Sequence, residues 1–326
     1  MKRWLIVGIV FLVMLSGWST RDLSRAERAR PIRIGALTAS WGPTPGIVGL
    51  RDGLQKLGYR EDHDFFLGVR FTQGNLTELP AAARELVQHG VDLIFTVGVT
   101  ATKAVQEATQ TIPIVFVNVD DPVAFGLVQS YARPGGNLTG VTDLGLQLGP
   151  KRLELFREMI PGLQRMLFPY DVTDTASVKE FQIYRQSAEH LGIEVVELTL
   201  RTQAEAQETL TRSPDETIQA ILSPRYLSLN IPGFVLQATS EQGMATMFSE
   251  VFFVEHGGLV SYGPNVYETG RLAARLVDKI LKGTKPSEIP VEVNNNIKFV
   301  INLNVANQLG LTIPPEVLYQ ADRIIR

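Results

Sequence analysis

The chain has 326 residues, of which 44% are hydrophobic and 20% charged, and its formal net charge at pH 7 is −3. This near-neutral balance gives no reason to expect nucleic acid as a partner, and the absence of cysteine excludes disulfides, thiol catalysis and thiolate metal sites. The four histidines are far apart, and none has a metal-ligand spacing. We therefore expect neither a metal nor another cofactor. The length is sufficient for two lobes, each with its own core.

The N-terminus has the pattern of an export signal. Three residues, Met1–Arg3, form a short positive segment, and an apolar run follows over Trp4–Leu15. This run is short for a bilayer span but fits a secretory signal over residues 1–19. Trp18 stands where a lipoprotein would carry its lipidated cysteine. We expect periplasmic export without a lipid anchor and a polar linker over residues 20–31; retention of the segment as an uncleaved anchor is the alternative.

Apolar strands alternate with amphipathic helices from residue 32 onward. This rhythm predicts strands that are covered on both faces, as in a parallel, doubly wound α/β lobe. The predicted strands of the first unit are Ile32–Leu37, Phe65–Phe71, Asp92–Val97, Ile112–Val117 and Leu138–Val141, and the predicted helices are Ile47–Leu57, Leu79–His89, Thr100–Ala108 and Pro122–Ser130.

The same rhythm restarts after Gly149, so the sequence predicts two similar α/β units with a cleft between them. The helix Tyr267–Leu281, the strand Lys298–Ile301 and a tail that begins with two prolines complete the chain. The predicted strands of the second unit are Arg165–Pro169, Glu194–Leu198, Ile218–Leu222, Ala245–Phe248 and Gly258–Val260, and the predicted helices are Lys151–Met159, Val178–Leu191, Gln203–Leu210 and Leu229–Gln242.

Ligands of doubly wound sheets bind at the carboxyl ends of the strands, so the residues that follow each strand are candidates. In the first unit, Ser40 and Trp41 follow the first strand, and the ring of Trp41 would either form a ligand wall or cover its own core. Val99 precedes the next predicted helix, and Thr100 can cap it; the backbone amides at this helix end could also hold a carboxylate, and the two roles are compatible. Asp120 is the candidate cleft residue, whereas the neighbouring Asp121 is expected to cap a helix.

The second unit offers a similar set of strand-end residues. Each of them is a ligand contact or simply a solvated loop residue, and the set as a whole indicates a cleft more strongly than any single member. These candidates are Tyr170, Asp171, Ser177, Arg225, Tyr226, Glu250 and Asn265.

Several long motifs resemble one known family. The segments IPIVFVNVDDPVAFGLVQSYARPGGNLTGVT (residues 112–142), VDLIFTVGVTATKAV (91–105) and INLNVANQLGLTIPPEVL (301–318) resemble the signature of the ABC-transporter substrate-binding proteins whose best-known members bind tryptophan and other aromatic amino acids. The segment from Gly257 to Glu292 is similar to that signature too. The resemblance implies a type I periplasmic-binding-protein fold, in which hinge closure traps a small molecule and a permease of the inner membrane receives it.

The resemblance also implies how the chain is divided. Residues 32–141 with about 263–290 would form the N-terminal lobe, and residues 142–262 with about 291–326 the C-terminal lobe. The expected pocket differs from the family pattern at four places, where this chain has Gly98-Val99-Thr100, Tyr170-Asp171, Pro224-Arg225-Tyr226 and Gly263-Pro264-Asn265.

These differences bear on the ligand. Aromatic-amino-acid binders carry carboxylates at two of these places, where they would pair with the ligand's ammonium group. Arg225 stands in one of them. An arginine fork favours a carboxylate or another small organic anion, so the ligand is expected to be an amino acid or a small organic anion.

Two other functions compete with solute delivery. One is a ligand-sensing module that reports to a membrane receptor, which the sequence hardly separates from a transport protein. The other is a two-lobed sugar-nucleotide enzyme with His256, Glu250 and Asp120 as acid–base groups. Fold analogy alone supports the enzyme, and His256 precedes two glycines as turn residues do, so we expect a binding protein without catalytic activity.

Overall fold

The computed structural model describes residues 30–40, 42, 44–143, 145–210, 217–226, 235–236 and 241–326. The predicted signal, residues 1–19, and the candidate Trp41 lie outside the described residues, as does most of the predicted helix over 229–242. The described chain forms a six-stranded and a seven-stranded sheet. This architecture confirms the α/β class with two doubly wound lobes.

The six-stranded sheet is parallel throughout, with the strand order β11-β5-β4-β3-β1-β2. Its four inner strands are almost entirely buried because helices cover both faces, whereas the edge strand Phe65–Phe71 is partly exposed. The strands are β1 (Ile32–Thr38), β2 (Phe65–Phe71), β3 (Leu93–Val97), β4 (Ile114–Val117), β5 (Leu138–Thr142) and β11 (Glu292–Val293), and the helices of this lobe are α1 (Pro45–Lys56), α2 (Leu79–Gln88), α3 (Val99–Ala108) and α8 (Val266–Leu281).

The seven-stranded sheet has the order β13-β12-β10-β9-β8-β6-β7, and only the pairing of β10 with β12 is antiparallel among its described strands. Its strands are β6 (Arg165–Asp171), β7 (Glu194–Leu200), β8 (Ala220–Leu222), β9 (Ala245–Phe248), β10 (Val260–Pro264), β12 (Ile297–Asn302) and β13 (Arg323–Ile325). Its described helices are α4 (Gly149–Met159), α5 (Thr175–Leu191), α6 (Gln203–Leu210), α7 (Val251–Glu255), α9 (Leu303–Gln308) and α10 (Pro315–Gln320).

The chain passes between the two sheets three times. It leaves the first sheet after β5, returns after β10 to form α8, and leaves again between β11 and β12. Such crossover segments form a hinge, because bending at a few residues in each segment rotates one lobe relative to the other as a rigid body. The domain limits given above stay a prediction.

Several segments differ from the sequence predictions. No helix forms over Pro122–Ser130; the segment is a series of turns, with Gly126 at a φ of +71°. Asp121 still caps the first of them, because its Oδ1 accepts a hydrogen bond from the Ala124 amide at 2.9 Å. The strands β6 and β10 extend to Asp171 and Pro264, so their last residues are strand residues and not loop ends. Two short helices and a strand follow β12, where the sequence predicted only a tail.

Helices α1 and α8 cross with their backbones in direct contact, which requires glycine on both sides. A Cβ atom built on Gly270 would lie 2.0 Å from the Gly46 carbonyl oxygen, and one on Gly49 would lie 2.0 Å from the Tyr267 carbonyl oxygen. The crossing holds α8, which is remote in sequence, against the first lobe. None of the described helices is long and apolar enough to cross a membrane.

We predict that Gly270→Ala destabilises the protein by about 2 kcal/mol, because the added methyl group would clash with the Gly46 carbonyl oxygen and disturb the close packing of the two helices. Gly68→Ala is the matched control, since nothing lies within 4 Å of its Cβ position. Chemical denaturation of the three proteins measures the difference. Equal midpoints for Gly270→Ala and Gly68→Ala would show that the crossing tolerates the methyl group.

Candidate functional site

A cleft opens where the carboxyl ends of the first lobe's strands face the second lobe. Its cavity volume is about 20 Å³, within about 300 Å³ of non-atom space that includes open solvent, and both lobes contribute to its walls. Two of the predicted site residues in the first lobe, Val99 and Thr100, line it, and so does Tyr226 of the second lobe. The remaining lining residues are Thr38, Ala39, Leu76, Val97, Gly98, Ala101 and Asp174.

The first wall of the cleft is the N-terminus of α3. Gly98 is the N-cap residue, with a φ of +90°, and no side chain caps this helix end. Thr100 was predicted as a possible cap, but it is the second residue of the helix. The first amide groups of a helix have no acceptor within the helix, and their dipoles favour negative charge. This wall therefore suits a carboxylate.

The facing wall carries an acid that the sequence reasoning missed. Asp174 is the N-cap of α5, and its Oδ1 accepts a hydrogen bond from the Ala176 amide at 2.9 Å. The residue lines the cleft although it is buried. Its position three residues after β6, directly before a helix, fits the same strand-end rule that selected its neighbours. The rule was applied to Tyr170 and Asp171, because the strand was expected to end earlier.

Next to Tyr226, which lines the cleft, a buried ion pair joins the ends of β5 and β8. The Nη1 and Nη2 atoms of Arg225, which follows β8, donate to Oδ1 and Oδ2 of Asp143, which follows β5, at 2.7 Å each. Both side chains are at most 1% exposed. Burial alone would lower the pKa of Arg225, but the charges of Asp143 and Asp120 raise it well above its usual value. The guanidinium group of Arg225, which we expected to bind an anionic ligand, is thus bound by a carboxylate of the protein.

Asp120 also lies next to the guanidinium group of Arg225, and it does not line the described cleft. The Tyr226 hydroxyl donates to its Oδ2, the Leu146 amide donates to its Oδ1 at 2.8 Å, and Arg225 Nη1 lies 3.6 Å from Oδ1. The ring of Tyr226 packs into the apolar core of the first lobe. Asp120 therefore acts within the protein as a contact between the lobes.

A second layer of buried charge lies behind Arg225. Both oxygens of Glu180 accept backbone amides, from Arg225 at 3.0 Å and from Tyr226 at 3.3 Å. Burial raises the pKa of Glu180 to about 7, although these amides and Arg152 oppose the shift. Burial also raises the pKa of Glu250, again against the charge of Arg225. The lobes thus enclose more carboxyl groups than guanidinium groups.

Some buried polar atoms around this layer have no hydrogen-bond partner among the described residues. They include both ends of the Asn118 amide and the Nε of Arg225. Buried polar groups are normally paired, so atoms of this kind favour a polar molecule between the lobes. The others in this region are Arg152 Nη2, Ser249 Oγ, Glu250 Oε1 and Ser261 Oγ.

The other predicted site residues hold the scaffold through local contacts. The Tyr170 hydroxyl donates to Glu197 at 3.0 Å, and Asp171 Oδ1 accepts the Thr173 amide at 2.8 Å. Asn265 caps α8. In the same way, Ser177 Oγ accepts the Asp171 amide, and Ser40 Oγ donates to the Gly42 carbonyl. Their contact with a ligand stays a prediction. No group of acids and histidines that could hold a metal ion occurs in the described part of the chain.

Comparison with known proteins gives matches over nearly the whole chain. The family described as "ABC transporter substrate binding protein" matches residues 45–325. A "Tyrosine-binding protein" of Clostridioides difficile (strain R20291) is 24% identical over 316 residues, which are 94% of this chain and 91% of that protein.

Two solved structures are similar in fold and in sequence. A conserved domain protein from Vibrio cholerae has a TM-score of 0.83 and 28% identity, with 90% of this chain and 100% of that one covered. An ABC domain from Streptococcus pneumonia in complex with L-Trp has a TM-score of 0.80 and 27% identity, with 91% and 100% covered. These matches agree with the resemblance found in the sequence motifs.

We predict a pH dependence of stability that comes from Glu180. Its pKa is about 7 in the folded protein against about 4.5 in the unfolded chain, so between these values the folded state binds the extra proton. The stabilisation is therefore complete below pH 4.5 and is lost as pH rises to 7, by on the order of 3 kcal/mol. Glu180→Gln should remove this slope from the free energy of unfolding measured by chemical denaturation.

Glu189→Gln, on the exposed face of the same helix, is the control and should follow the wild-type profile. A Glu180→Gln profile that keeps the full wild-type slope would mean that Glu180 is already ionised in the folded protein at pH 5.

Proposed function

The chain belongs to the ABC transporter substrate-binding protein family and is a solute-binding protein, and from this premise we propose that its cleft binds an amino acid with an apolar side chain. The main observation behind this proposal is that one wall of the cleft favours a negative group and the opposite wall favours a positive group. The uncapped N-terminus of α3 suits the ligand's carboxylate, and Asp174 on the opposite lobe suits its ammonium group. A ligand that carries both charges would contact both lobes and so favour closure.

The surface between these walls supports an apolar side chain. Ala39, Leu76, Val97 and Val99 line the cleft together with the ring of Tyr226. Such a lining gives apolar burial, while the two polar walls fix the orientation of the ligand. The names of the relatives support the same ligand class, since one is a tyrosine-binding protein and another was solved with L-Trp.

The expected loss of carboxylates from the pocket no longer argues against an amino acid. That argument depended on Arg225 as a free cation in the pocket. Its fork is held by Asp143, and Asp174 supplies an acid at the cleft instead. We therefore favour an amino acid over a simple organic anion.

The surroundings of the cleft support binding without catalysis. Of the acid–base groups considered for an enzyme, Asp120 is bound by Tyr226 and Leu146, and Glu250 is buried behind Arg225. His256 is exposed at the end of α7, where its Nδ1 lies 2.7 Å from the Phe252 carbonyl oxygen. We propose delivery of the intact ligand to permease subunits in the inner membrane, after export by the N-terminal signal without lipidation.

We predict that the purified protein, freed of ligand by partial unfolding, binds L-tryptophan, L-tyrosine or L-phenylalanine in isothermal titration calorimetry. Tryptamine lacks the carboxylate and indole-3-propionate lacks the ammonium group, and each should bind at least about tenfold more weakly, because one wall then loses a charge-assisted hydrogen bond. Binding of none of the three amino acids would reject the proposed ligand class.

We further predict that Asp174→Asn weakens amino-acid binding by about 10- to 100-fold, which is the size of a lost charged hydrogen bond. Asparagine caps helices as well as aspartate does, so α5 should remain intact. Asp171→Asn is the matched control, since that side chain is bound to Thr173. If Asp171→Asn weakened binding and Asp174→Asn did not, the assignment of the ammonium site to Asp174 would be wrong.

A further inference from the structure

A fully buried contact between the ends of β5 and β8 is made by the protein's own charges. Arg225 follows a strand of the second lobe and Asp143 follows a strand of the first, and two hydrogen bonds of 2.7 Å join them. Neither residue lines the cleft described above.

Two further side chains extend this contact. Asp120 of the first lobe accepts the hydroxyl of Tyr226 from the second lobe, and it lies 3.6 Å from Arg225. We call the four residues Asp120, Asp143, Arg225 and Tyr226 the interlobe latch. Asp120 comes from the first lobe, Arg225 and Tyr226 come from the second, and Asp143 lies in the crossover that follows β5. Separation of the lobes must therefore break the contacts of Asp120 with Tyr226 and Arg225.

The backbone around the latch leaves no spare volume. A Cβ atom on Gly145 would lie 2.1 Å from Arg225 Nη1 and 2.7 Å from Asp120 Oδ1. The Leu146 amide fixes Asp120 from the same turn at 2.8 Å. The turn after β5 thus holds both acids against the arginine, and a side chain at position 145 would separate them.

We propose that the interlobe latch sets the equilibrium between open and closed lobes and so scales the affinity for every ligand by one factor. When the lobes part, all four groups become hydrated, and when they close, desolvation opposes the attraction between the charges. These opposing contributions are of similar size, so a small change in the latch shifts the closed population. The apparent dissociation constant is the intrinsic one divided by the closed fraction.

This role differs from that of a ligand contact in what a mutation changes. Asp120, Asp143 and Arg225 do not line the cleft and are positioning residues, whereas Tyr226 also lines the cleft. A weaker latch lowers the affinity for all ligands equally, whereas a change at the cleft wall alters the ratio between ligands. The inference about lobe closure holds for any ligand, so it does not depend on the amino-acid proposal.

The experiment measures lobe separation without ligand. The chain has no cysteine, so Arg84→Cys on α2 and Gln182→Cys on α5, both exposed positions, would be the only sites for nitroxide labels. Double electron–electron resonance then gives the distance distribution between the lobes. The labelled wild type is compared with Asp143→Asn, which removes one of the two carboxylate charges next to Arg225, and with Tyr226→Phe, which removes one hydroxyl.

Glu194→Gln is the matched control, because it breaks the Arg165–Glu194 ion pair within the second lobe. We expect both latch variants to move population to longer distances, Asp143→Asn more than Tyr226→Phe, while the control matches the wild type. Should Asp143→Asn fail to fold, as judged by circular dichroism, Tyr226→Phe decides alone. Wild-type distance distributions in the folded latch variants would overturn the proposal.

Calorimetry with L-tryptophan and L-phenylalanine adds a second readout if the protein binds them. Tyr226 also lines the cleft, so Tyr226→Phe changes the ligand's surroundings as well as the latch. The uniform effect on affinity is therefore measured with Asp143→Asn and Gly145→Ala. Each should weaken both ligands at least about fivefold, and by the same factor within twofold. A loss for one ligand only would assign these residues to specificity and contradict the latch.

Discussion

Burial of one arginine between the lobes constrains the arrangement of everything around it. A guanidinium group without contact to water must be paired, since an unpaired buried charge is strongly destabilising. Arg225 meets this requirement with Asp143 at 2.7 Å and with Asp120 nearby. The turn that brings these acids together must then lack a side chain at Gly145. The carboxyl ends of β4, β5 and β8 are thereby fixed relative to one another.

The region between the lobes consequently has two layers with separate roles. The deeper layer consists of the protein's own charges, and the cleft above it has an uncapped helix end, an apolar surface and Asp174. In the proposed latch, its members act through the closed population, whereas the cleft walls act on the ligand itself. The raised pKa of Glu180 follows from the same burial.

Much of the fold could be predicted from sequence, and the failures have local causes. Strand β2 was predicted at its observed limits, Phe65–Phe71, because its apolar residues and flanking turns are local signals. The helix predicted over Pro122–Ser130 was wrong, since its cap and proline are equally compatible with the turns that form. Strand β6 runs two residues further than predicted, so the strand-end rule selected Tyr170 and Asp171 and missed Asp174.

The sequence by itself determined that the chain forms two α/β units whose strand ends face a cleft, because hydrophobic periodicity and turn residues act over a few positions. Only the tertiary structure decided what those strand-end residues bind. Arg225 has the chemistry of an anion site, yet its partner is Asp143, 82 residues away. Asp120 is likewise bound by Tyr226, 106 residues away. A side chain's chemistry restricts its possible partners, but the partner is chosen by the packing of two lobes, which no local pattern encodes.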